Sequence, residues 1–312
     1  MMTDAMHVTV LLDEAVRALI SDPDGRYVDG TFGRGGHARL ILQSLSDQGC
    51  LVGIDKDPEA VSVARALAES DSRFSIEHGS FAQVKEFVDA RGWDGATGIL
   101  VDLGVSSPQL DDAGRGFSFM NDGPLDMRMD TSRGMSAADW IASVEESDLI
   151  RVLREYGEEK FAKRIAGAIV RERALAPIQT TSRLASIVAE ANPSWEKHKH
   201  PATRAFQAIR IEVNKELADL ELFLVNATKA LAVQGRLVVI SFHSLEDRMV
   251  KQFMRKLAKG DEPPPGVPVL ESDITRRFKV MSKAMKPSKE EVERNPRARS
   301  AVMRVLEKLS DE

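Results

Sequence analysis

The sequence has a single cysteine, Cys50, among its 312 residues. One cysteine cannot form an internal disulfide or supply a thiolate-rich metal site, so no metal centre is expected. No run approaches the roughly 18 consecutive apolar residues that a membrane-spanning helix needs. The first residues also lack the apolar core of a secretory signal and carry early acidic side chains. These absences predict a cytoplasmic protein with no membrane partner.

Positive charge is scarce overall, since the net charge is −5, but it is unevenly spread. From Arg276 to Arg304 there are ten Lys or Arg residues and only three Asp or Glu residues. Such an asymmetry is compatible with a polyanion-binding tail on an acidic body. It is equally compatible with a solvated, helix-rich tail, and composition alone leaves both interpretations open.

The pattern of apolar residues indicates an α/β fold. Over the first hundred residues, short apolar runs alternate with amphipathic stretches, and a strand-like run returns at 236–241. Between Ser136 and Ala191 the period is helical throughout, which predicts an all-helical insertion. A length of 312 residues fits one large domain with an insertion, or two domains. We also predict a long loop from Ser106 to Arg133 and a single long helix from Thr203 to Leu231.

A glycine-rich turn, Val28–His37, directly follows the first predicted strand. Glycines there allow positive φ angles and a close approach of the backbone to a ligand. Asp55 lies 20 positions after Gly35, at the end of the second predicted strand, where a carboxylate can accept both hydroxyls of a ribose. The turn lacks the third glycine of the G-x-G-x-x-G fingerprint that binds dinucleotides. In addition, Asp29 would repel the diphosphate of a dinucleotide but attract a sulfonium or amino group. The pattern therefore favours S-adenosyl-L-methionine over a nicotinamide dinucleotide.

The fourth predicted strand ends in the segment Asp102–Leu110. Amino-methyltransferases place a short polar-proline motif here, whose acceptors bind the hydrogens of an exocyclic amine and direct its lone pair at the methyl group. Ser107 and Pro108 occupy the matching register and are the predicted catalytic pair; an ordinary polar turn is the alternative. Gln109 replaces the second proline of that motif, and Leu110 its aromatic residue. A ring that stacks on the target base must then come from elsewhere, and the candidates are Phe117, Phe119 and Trp140.

Seven segments in order resemble the bacterial 16S rRNA (cytosine-N4)-methyltransferase family. They are Gly35–His37, Ile54–Asp57, Asp102–Asp111, Gly123–Met129, Arg204–Ile211, Ser241–Arg248 and Asn295–Ala301. The resemblance runs from His7 to Lys308. It implies the class I S-adenosylmethionine-dependent methyltransferase fold, a Rossmann-like seven-stranded sheet with an inserted all-helical domain. The methyltransferase domain would comprise residues 1–110 and 203–312, and residues 111–202 would form the mostly helical substrate-recognition domain.

The same resemblance implies a reaction and a set of cofactor contacts. The reaction is methyl transfer to the N4 amine of cytidine 1402 in 16S rRNA, with the small ribosomal subunit as partner. The implied contacts are Gly35, Gly36, His37, Asp55, Phe81, Asp102 and Gln109. In this arrangement Asp55 holds the ribose, Phe81 flanks the adenine, and Asp102 and Gln109 line the methionine end.

The substrate-binding candidates are Arg204, Phe206, Arg210, His243, Arg297 and Arg299. Phe206, Arg210 and Asn214 would share one helix face at i, i+4 spacing, which we interpret as an RNA-binding stripe. A buried Phe206 beside solvated arginines is the alternative. His243 ends the fifth predicted strand and has either a substrate-side or a structural role.

Two other functions stay open on the sequence. A nicotinamide-dependent oxidoreductase would need the complete dinucleotide fingerprint. A non-catalytic RNA-binding assembly factor would be expected to have lost the acids at positions 29, 55 and 102, all of which are present. The sequence does not decide between a monomer and a homodimer.

Overall fold

The computed structural model describes residues 9–194, 200–260 and 275–311. The chain divides into two compact units. The first comprises residues 1–104 and 218–312, and the second comprises residues 105–217. Among the described residues, no helix combines the length and the apolar character needed to cross a bilayer.

The first unit contains a seven-stranded sheet. In chain order its strands are β1 (Arg26–Asp29), β2 (Cys50–Asp55), β3 (Phe74–His78), β4 (Ala96–Asp102), β5 (Leu231–Ser241), β6 (Phe278–Val280) and β7 (Val302–Lys308). Their spatial order is β3-β2-β1-β4-β5-β7-β6. The first five strands run parallel to one another, whereas β7 runs antiparallel to both β5 and β6. The predicted α/β class is confirmed.

Thirteen helices are described. They are α1 (Leu12–Leu19), α2 (Gly36–Ser44), α3 (Pro58–Ser70), α4 (Val84–Ala90), α5 (Ser107–Asp111), α6 (Ala137–Ser143), α7 (Glu146–Glu155), α8 (Ala162–Leu175), α9 (Thr181–Ala191), α10 (Thr203–Asn214), α11 (Glu216–Ala230), α12 (Ser244–Lys259) and α13 (Lys289–Arg294). Short 3₁₀ turns occur at Phe81–Gln83, Ala113–Arg115 and Pro296–Ser300.

Burial explains why the central strands appear as apolar runs in the sequence. In β4, Ile99, Leu100 and Val101 are completely buried, as expected when both faces of a parallel sheet are covered.

The start of α3 is also as predicted. Asp57 caps it by accepting the Glu59 N–H at 3.0 Å, with Pro58 at the first helical position.

The second unit has its own core of helical residues. Ile141, Leu153, Ile165, Leu184 and Ile209 are among the apolar side chains buried there. Its regular elements are helices, and the only strand-like feature described is an isolated antiparallel bridge between Pro124 and Thr180.

Two expectations about elements were wrong. The predicted loop at 106–133 contains α5, because Ser106 and Gln109 form a capping box inside an otherwise polar stretch. The predicted helix 203–231 is two helices, because Lys215 adopts the left-handed conformation with φ 54° and terminates α10. No glycine or proline marks that position, so the pattern gave no sign of the break.

Candidate active site

Three aspartates end neighbouring parallel strands. Asp29 is the last residue of β1, Asp55 of β2 and Asp102 of β4, and β1 lies between the other two strands. Because the carboxyl ends of parallel strands meet at one edge of a sheet, the three carboxyl groups belong to one region. In open α/β sheets this edge is where ligands bind.

Asp55 organises the glycine-rich turn. Its Oδ2 accepts the N–H of Gly33 at 2.7 Å, and its Oδ1 accepts the N–H of Asp57 at 2.8 Å. Gly33 and Gly35 have φ angles of 56° and 78°, a conformation that side chains with a Cβ rarely adopt. A carboxylate has about four acceptor positions, so Asp55 retains capacity for ribose hydroxyls while it fixes the turn.

Two glycines of the turn pack against side chains of the protein itself. A Cβ on Gly35 would lie 2.7 Å from the Phe32 ring, and one on Gly36 only 1.8 Å from Thr9 Oγ1. Tight packing within this unit therefore already requires glycine at both positions. Contact of their backbone with a cofactor stays a prediction.

Asp29 and Asp102 each have a buried oxygen that lacks a hydrogen-bond partner among the described residues: Oδ2 in Asp29 and Oδ1 in Asp102. The other oxygen of Asp29 accepts the Thr31 N–H at 3.1 Å. Asp102 Oδ2 lies 3.9 Å from Nδ1 of the buried His37. A buried carboxylate oxygen without a donor is costly, so these atoms fit a ligand that brings positive charge and N–H groups. The methionine end of S-adenosylmethionine has both.

Burial also changes how these acids titrate. It raises the pKa of Asp29 to about 7, and the nearby Asp55 adds to the rise. Burial raises the pKa of Asp55 to about 6, against several backbone hydrogen bonds that lower it. The pKa of Asp102 lies well above its usual value, because of burial and the neighbouring Asp29 and Glu246 carboxyls. A bound cation would stabilise the ionised forms of all three groups.

Phe81 lies beside the same turn. It begins the 3₁₀ turn after β3, and its Cβ is 3.1 Å from the position that a Cβ on Gly30 would take. The half-buried Phe81 ring contacts Phe223 edge-on, with ring centroids 5.3 Å apart. The role of Phe81 beside an adenine stays a prediction.

The sequence matches the model of the MraW methylase family over residues 4–309. The chain belongs to the MraW methylase family. A curated relative from Marinomonas sp. (strain MWYL1), named Ribosomal RNA small subunit methyltransferase H, is 56% identical over 310 residues, which cover 99% of each chain. As a family member, the protein is an S-adenosylmethionine-dependent methyltransferase with the class I, Rossmann-like fold. The predicted family, fold, enzyme class and cofactor are confirmed.

Solved structures of other methylases are similar at low sequence identity. An rRNA methylase from Streptococcus thermophilus has a TM-score of 0.40 and 12% identity, covering 96% of this chain and 93% of that one. Fibrillarin from Aeropyrum pernix, with natively bound S-adenosyl-L-methionine, has a TM-score of 0.40 and 9% identity, covering 94% and 73%.

The predicted catalytic corner of this MraW methylase belongs to the second unit. Ser107 and Pro108 are the first two residues of α5, and both are partly exposed. Ser106 is the helix cap, and the buried Gln109 closes the capping box by accepting the Ser106 N–H at 2.9 Å. This contact gives Gln109 a local structural role, and its predicted place at the methionine end stays a prediction. The catalytic role of Ser107 and Pro108 likewise stays a prediction.

The predicted RNA-binding stripe on α10 is not an exposed surface. Phe206 is only 4% exposed and packs edge-on against Phe119, with ring centroids 4.9 Å apart. Arg210 donates two hydrogen bonds to Glu216, at 2.8 and 2.9 Å. Asn214 is hydrogen-bonded to backbone atoms of the segment before α6. Phe206 is thus a core residue, as in the alternative interpretation. Arg210 and Asn214 make contacts within the protein.

His243 and Arg204 also make local contacts. His243 is the N-cap of α12; its Nδ1 accepts the Glu246 N–H at 3.5 Å, and its Nε2 lies 3.1 Å from Glu246 Oε1. Arg204 donates to the carbonyl of Glu158 at 3.1 Å. These contacts support the structural interpretation of His243, and substrate binding by either residue stays a prediction.

The three aromatic candidates for base stacking differ in exposure. Phe117 is buried, with the Arg115 guanidinium 5.7 Å from its ring centroid, so it is poorly placed to stack on a base. Phe119 and Trp140 are partly exposed, and both pack against the helical core.

Sequence reasoning missed an ion pair at the carboxyl edge of the sheet. Lys56 Nζ lies 2.5 Å from Asp219 Oδ2 on α11. Lys56 falls within the segment Ile54–Asp57 that carries the resemblance, but Asp219 is far along the chain and in no motif. No local pattern could have paired them.

Proposed function

We propose that this protein transfers a methyl group from S-adenosylmethionine to the N4 amine of cytidine 1402 in 16S rRNA of the small ribosomal subunit. The observation that carries the proposal is the 56% identity to the Marinomonas rRNA methyltransferase over 99% of both chains. The reaction would take place in the cytoplasm, where ribosomal subunits are made. The helical domain predicted at residues 111–202, which falls within the unit 105–217, would serve substrate recognition.

The residues at the sheet edge have complementary tasks in binding the cofactor. Bound S-adenosylmethionine supplies an electrophilic methyl group on a positively charged sulfur. Asp55 accepts hydrogen bonds from the ribose hydroxyls, and Phe81 flanks the adenine. The unpartnered oxygens of Asp29 and Asp102 attract the cationic methionine end.

At the target, the nucleophile is an exocyclic amine whose lone pair is delocalised into the cytosine ring. The Ser107 hydroxyl and a neighbouring backbone carbonyl accept its two hydrogens and favour a pyramidal nitrogen. The nitrogen lone pair would then point at the methyl group that bound S-adenosylmethionine supplies, and transfer of this group would leave the sulfur as a neutral thioether. The cationic nitrogen then loses one proton to water.

The oxidoreductase alternative is disfavoured by Asp29. This carboxyl group is completely buried beside the glycine-rich turn, where a dinucleotide would place its negatively charged diphosphate. Calorimetric titration separates the two ligands: S-adenosylmethionine should bind, and NAD should give no heat of binding.

The surface of residues 276–300 suits an RNA partner. Nine of its Lys and Arg side chains are exposed: Arg276, Arg277, Lys279, Lys283, Lys286, Lys289, Arg294, Arg297 and Arg299. Only two exposed acids, Glu290 and Glu293, accompany them, because Glu291 is half-buried and accepts the Leu11 N–H at 2.7 Å. Clustered cations of this kind bind phosphate groups regardless of sequence.

The decisive experiment uses small ribosomal subunits that lack the modification. They are incubated with the protein and S-adenosylmethionine labelled in its methyl group, and the labelled nucleotide is mapped and identified. Naked 16S rRNA serves as a second substrate, and the Asp55→Ala variant as the control. Label on the N4 of one cytidine is expected; label at another atom or base would contradict the proposal.

A further inference from the structure

We propose that Asp219 is a positioning residue that holds together the two segments flanking the adenosine end of the cofactor. This inference rests on the proposed placement of the cofactor at Asp55 and Phe81. Asp219 lies on α11, in the first unit of the chain.

One face of α11 holds the turn after β3. Asp219, Phe223 and Asn226 follow one another at i, i+4 and i+7, so they project from the same side of the helix. Asp219 Oδ2 accepts the Ser80 hydroxyl at 2.5 Å, and Asn226 Nδ2 donates to a backbone carbonyl of the turn at 2.7 Å. The Phe223 ring contacts the Phe81 ring edge-on. Three consecutive residues, Ser80–Ala82, are thus each fixed by a different side chain of α11.

The same carboxylate also reaches the end of β2. Lys56 follows Asp55 directly in the chain, and its Nζ lies 2.5 Å from Asp219 Oδ2. The side chains of Lys56 and Asp219 are only 17% and 18% exposed, so solvent screens the pair less than it screens a surface salt bridge. A single oxygen atom therefore joins the segment that carries the proposed ribose acceptor to the segment that carries the proposed adenine neighbour.

This connection would act through preorganisation. Ordering loop residues costs conformational entropy, and a ligand that must order its own site binds more weakly. With Asp219 in place, the two segments already have fixed positions before the nucleoside arrives. The effect should fall on affinity for the adenosine part and leave the methyl-transfer step and RNA binding unchanged.

The test compares Asp219→Ala, Asp219→Asn and Lys56→Met with a matched control, Asp89→Ala. Asp89 forms an exposed ion pair with Lys85 on α4 of the same unit, so its loss removes a salt bridge that involves neither Lys56 nor Ser80–Ala82. The measurements are calorimetric affinities for S-adenosylmethionine and S-adenosylhomocysteine, thermal unfolding midpoints without ligand, and KM and kcat with ribosomal subunits.

For Asp219→Ala we expect roughly five- to twentyfold weaker binding of both ligands, because the ligand must then order the two segments itself. KM for S-adenosylmethionine should rise by a similar factor, with kcat and the KM for RNA unchanged. Asp219→Asn, which retains an acceptor for Ser80, should recover part of the affinity, and Lys56→Met should resemble it. The control should bind like the parent.

A purely structural ion pair would give a different result. The unfolding midpoint of Asp219→Ala would fall while its ligand affinity at a lower temperature matched that of the parent, and this outcome would overturn the inference. The Asp55→Ala variant, measured in parallel, separates a failure of the positioning role of Asp219 from a failure of the proposed cofactor site. If Asp55→Ala weakens binding and Asp219→Ala does not, only the positioning role is refuted; if neither weakens binding, the proposed cofactor site is refuted with it.

Discussion

Asp29 is completely buried, and its Oδ2 has no hydrogen-bond partner in the described parts of the chain. Its pKa of about 7 in the folded protein, against 3.8 as the ordinary value, means that the folded chain holds this proton more tightly than the unfolded chain does. The raised pKa of Asp29 therefore adds to the free energy of unfolding in full below about pH 3.8, and this contribution is lost as the pH rises through about 7. Ionisation of Asp29 lowers the stability of the free protein, but the resulting carboxylate attracts a cationic ligand.

Asp29→Asn tests this directly. The parent should bind S-adenosylmethionine more tightly as the pH rises from about 5.5 to about 8, because the carboxylate form attracts the cation. The variant should bind more weakly at pH 8 and show a shallower pH dependence, with the remaining slope due to Asp55 and Asp102. Without ligand, the variant should also lose less stability over this range. Calorimetry measures the binding and thermal unfolding measures the stability. The control is Asp13→Asn, which replaces an exposed acid on α1.

Ser107 and Ser106 form a natural pair for comparison. Ser107→Ala should lower kcat by roughly three- to tenfold, the value of one neutral hydrogen bond, with little change in the affinity for S-adenosylmethionine. Ser106→Ala removes the helix cap and should cost about 1 kcal/mol of folding free energy. Single-turnover kinetics and chemical denaturation distinguish the two. Equal turnover in Ser107→Ala and the parent would remove Ser107 from the mechanism.

At the scale of elements, the break between α10 and α11 depends on one residue. Lys215 has a φ of 54° and a ψ of 35°, and its backbone N–H closes the end of α10. Left-handed backbone costs an ordinary residue roughly 1 kcal/mol that glycine does not incur. The break is therefore maintained by its surroundings rather than by a local preference of lysine.

Lys215→Gly should stabilise the protein by about 0.5–1 kcal/mol, because glycine relieves this strain. Loss of the exposed contact with Glu212 should reduce that gain by roughly a few tenths of a kcal/mol. The matched control is Lys229→Gly, an exposed position in the last turn of α11, where glycine should destabilise the helix. Urea denaturation gives both free energies. A destabilised Lys215→Gly would show that the lysine side chain contributes more than its backbone strain costs.

Elements with a local signal were predictable from the sequence, and long-range contacts were not. The apolar run of β4 and the Asp57-Pro58 start of α3 each carry their cause within a few residues. The acids at positions 29, 55 and 102 could be placed together because strand ends share an edge. Lys215 has no such signal, and the partners of Lys56 and Phe206 lie in distant segments. Contacts of that kind depend on tertiary packing, which periodicity does not encode.

At the scale of the whole molecule, charge is separated along the chain. The exposed cations of residues 276–300 contrast with the net acidic remainder. Arg304, which lies outside this range, is paired with Asp247 at 2.7 Å and adds little to the surface. RNA binding should therefore have a strong dependence on salt concentration that originates in one part of the sequence.

Replacing Arg297 and Arg299 together by Ala should weaken binding to 16S rRNA and reduce the slope of log affinity against log salt concentration by roughly 1–2. Affinity for S-adenosylmethionine should not change. The control replaces two exposed cations elsewhere in the first unit, Arg65 and Lys229. Filter binding over a range of salt concentrations measures both slopes, and equal slopes for the parent and the variant would exclude these arginines as phosphate contacts.

The position of β7 in the sheet has a consequence for synthesis on the ribosome. β7 pairs with β5 on one side and β6 on the other, yet it follows both of them in the chain. Until it emerges, the nascent protein presents an unpaired apolar strand edge along β5, and β6 has no neighbour. A chain released before residue 302 would keep that edge exposed, so premature termination even this late should yield a product prone to aggregation and degradation.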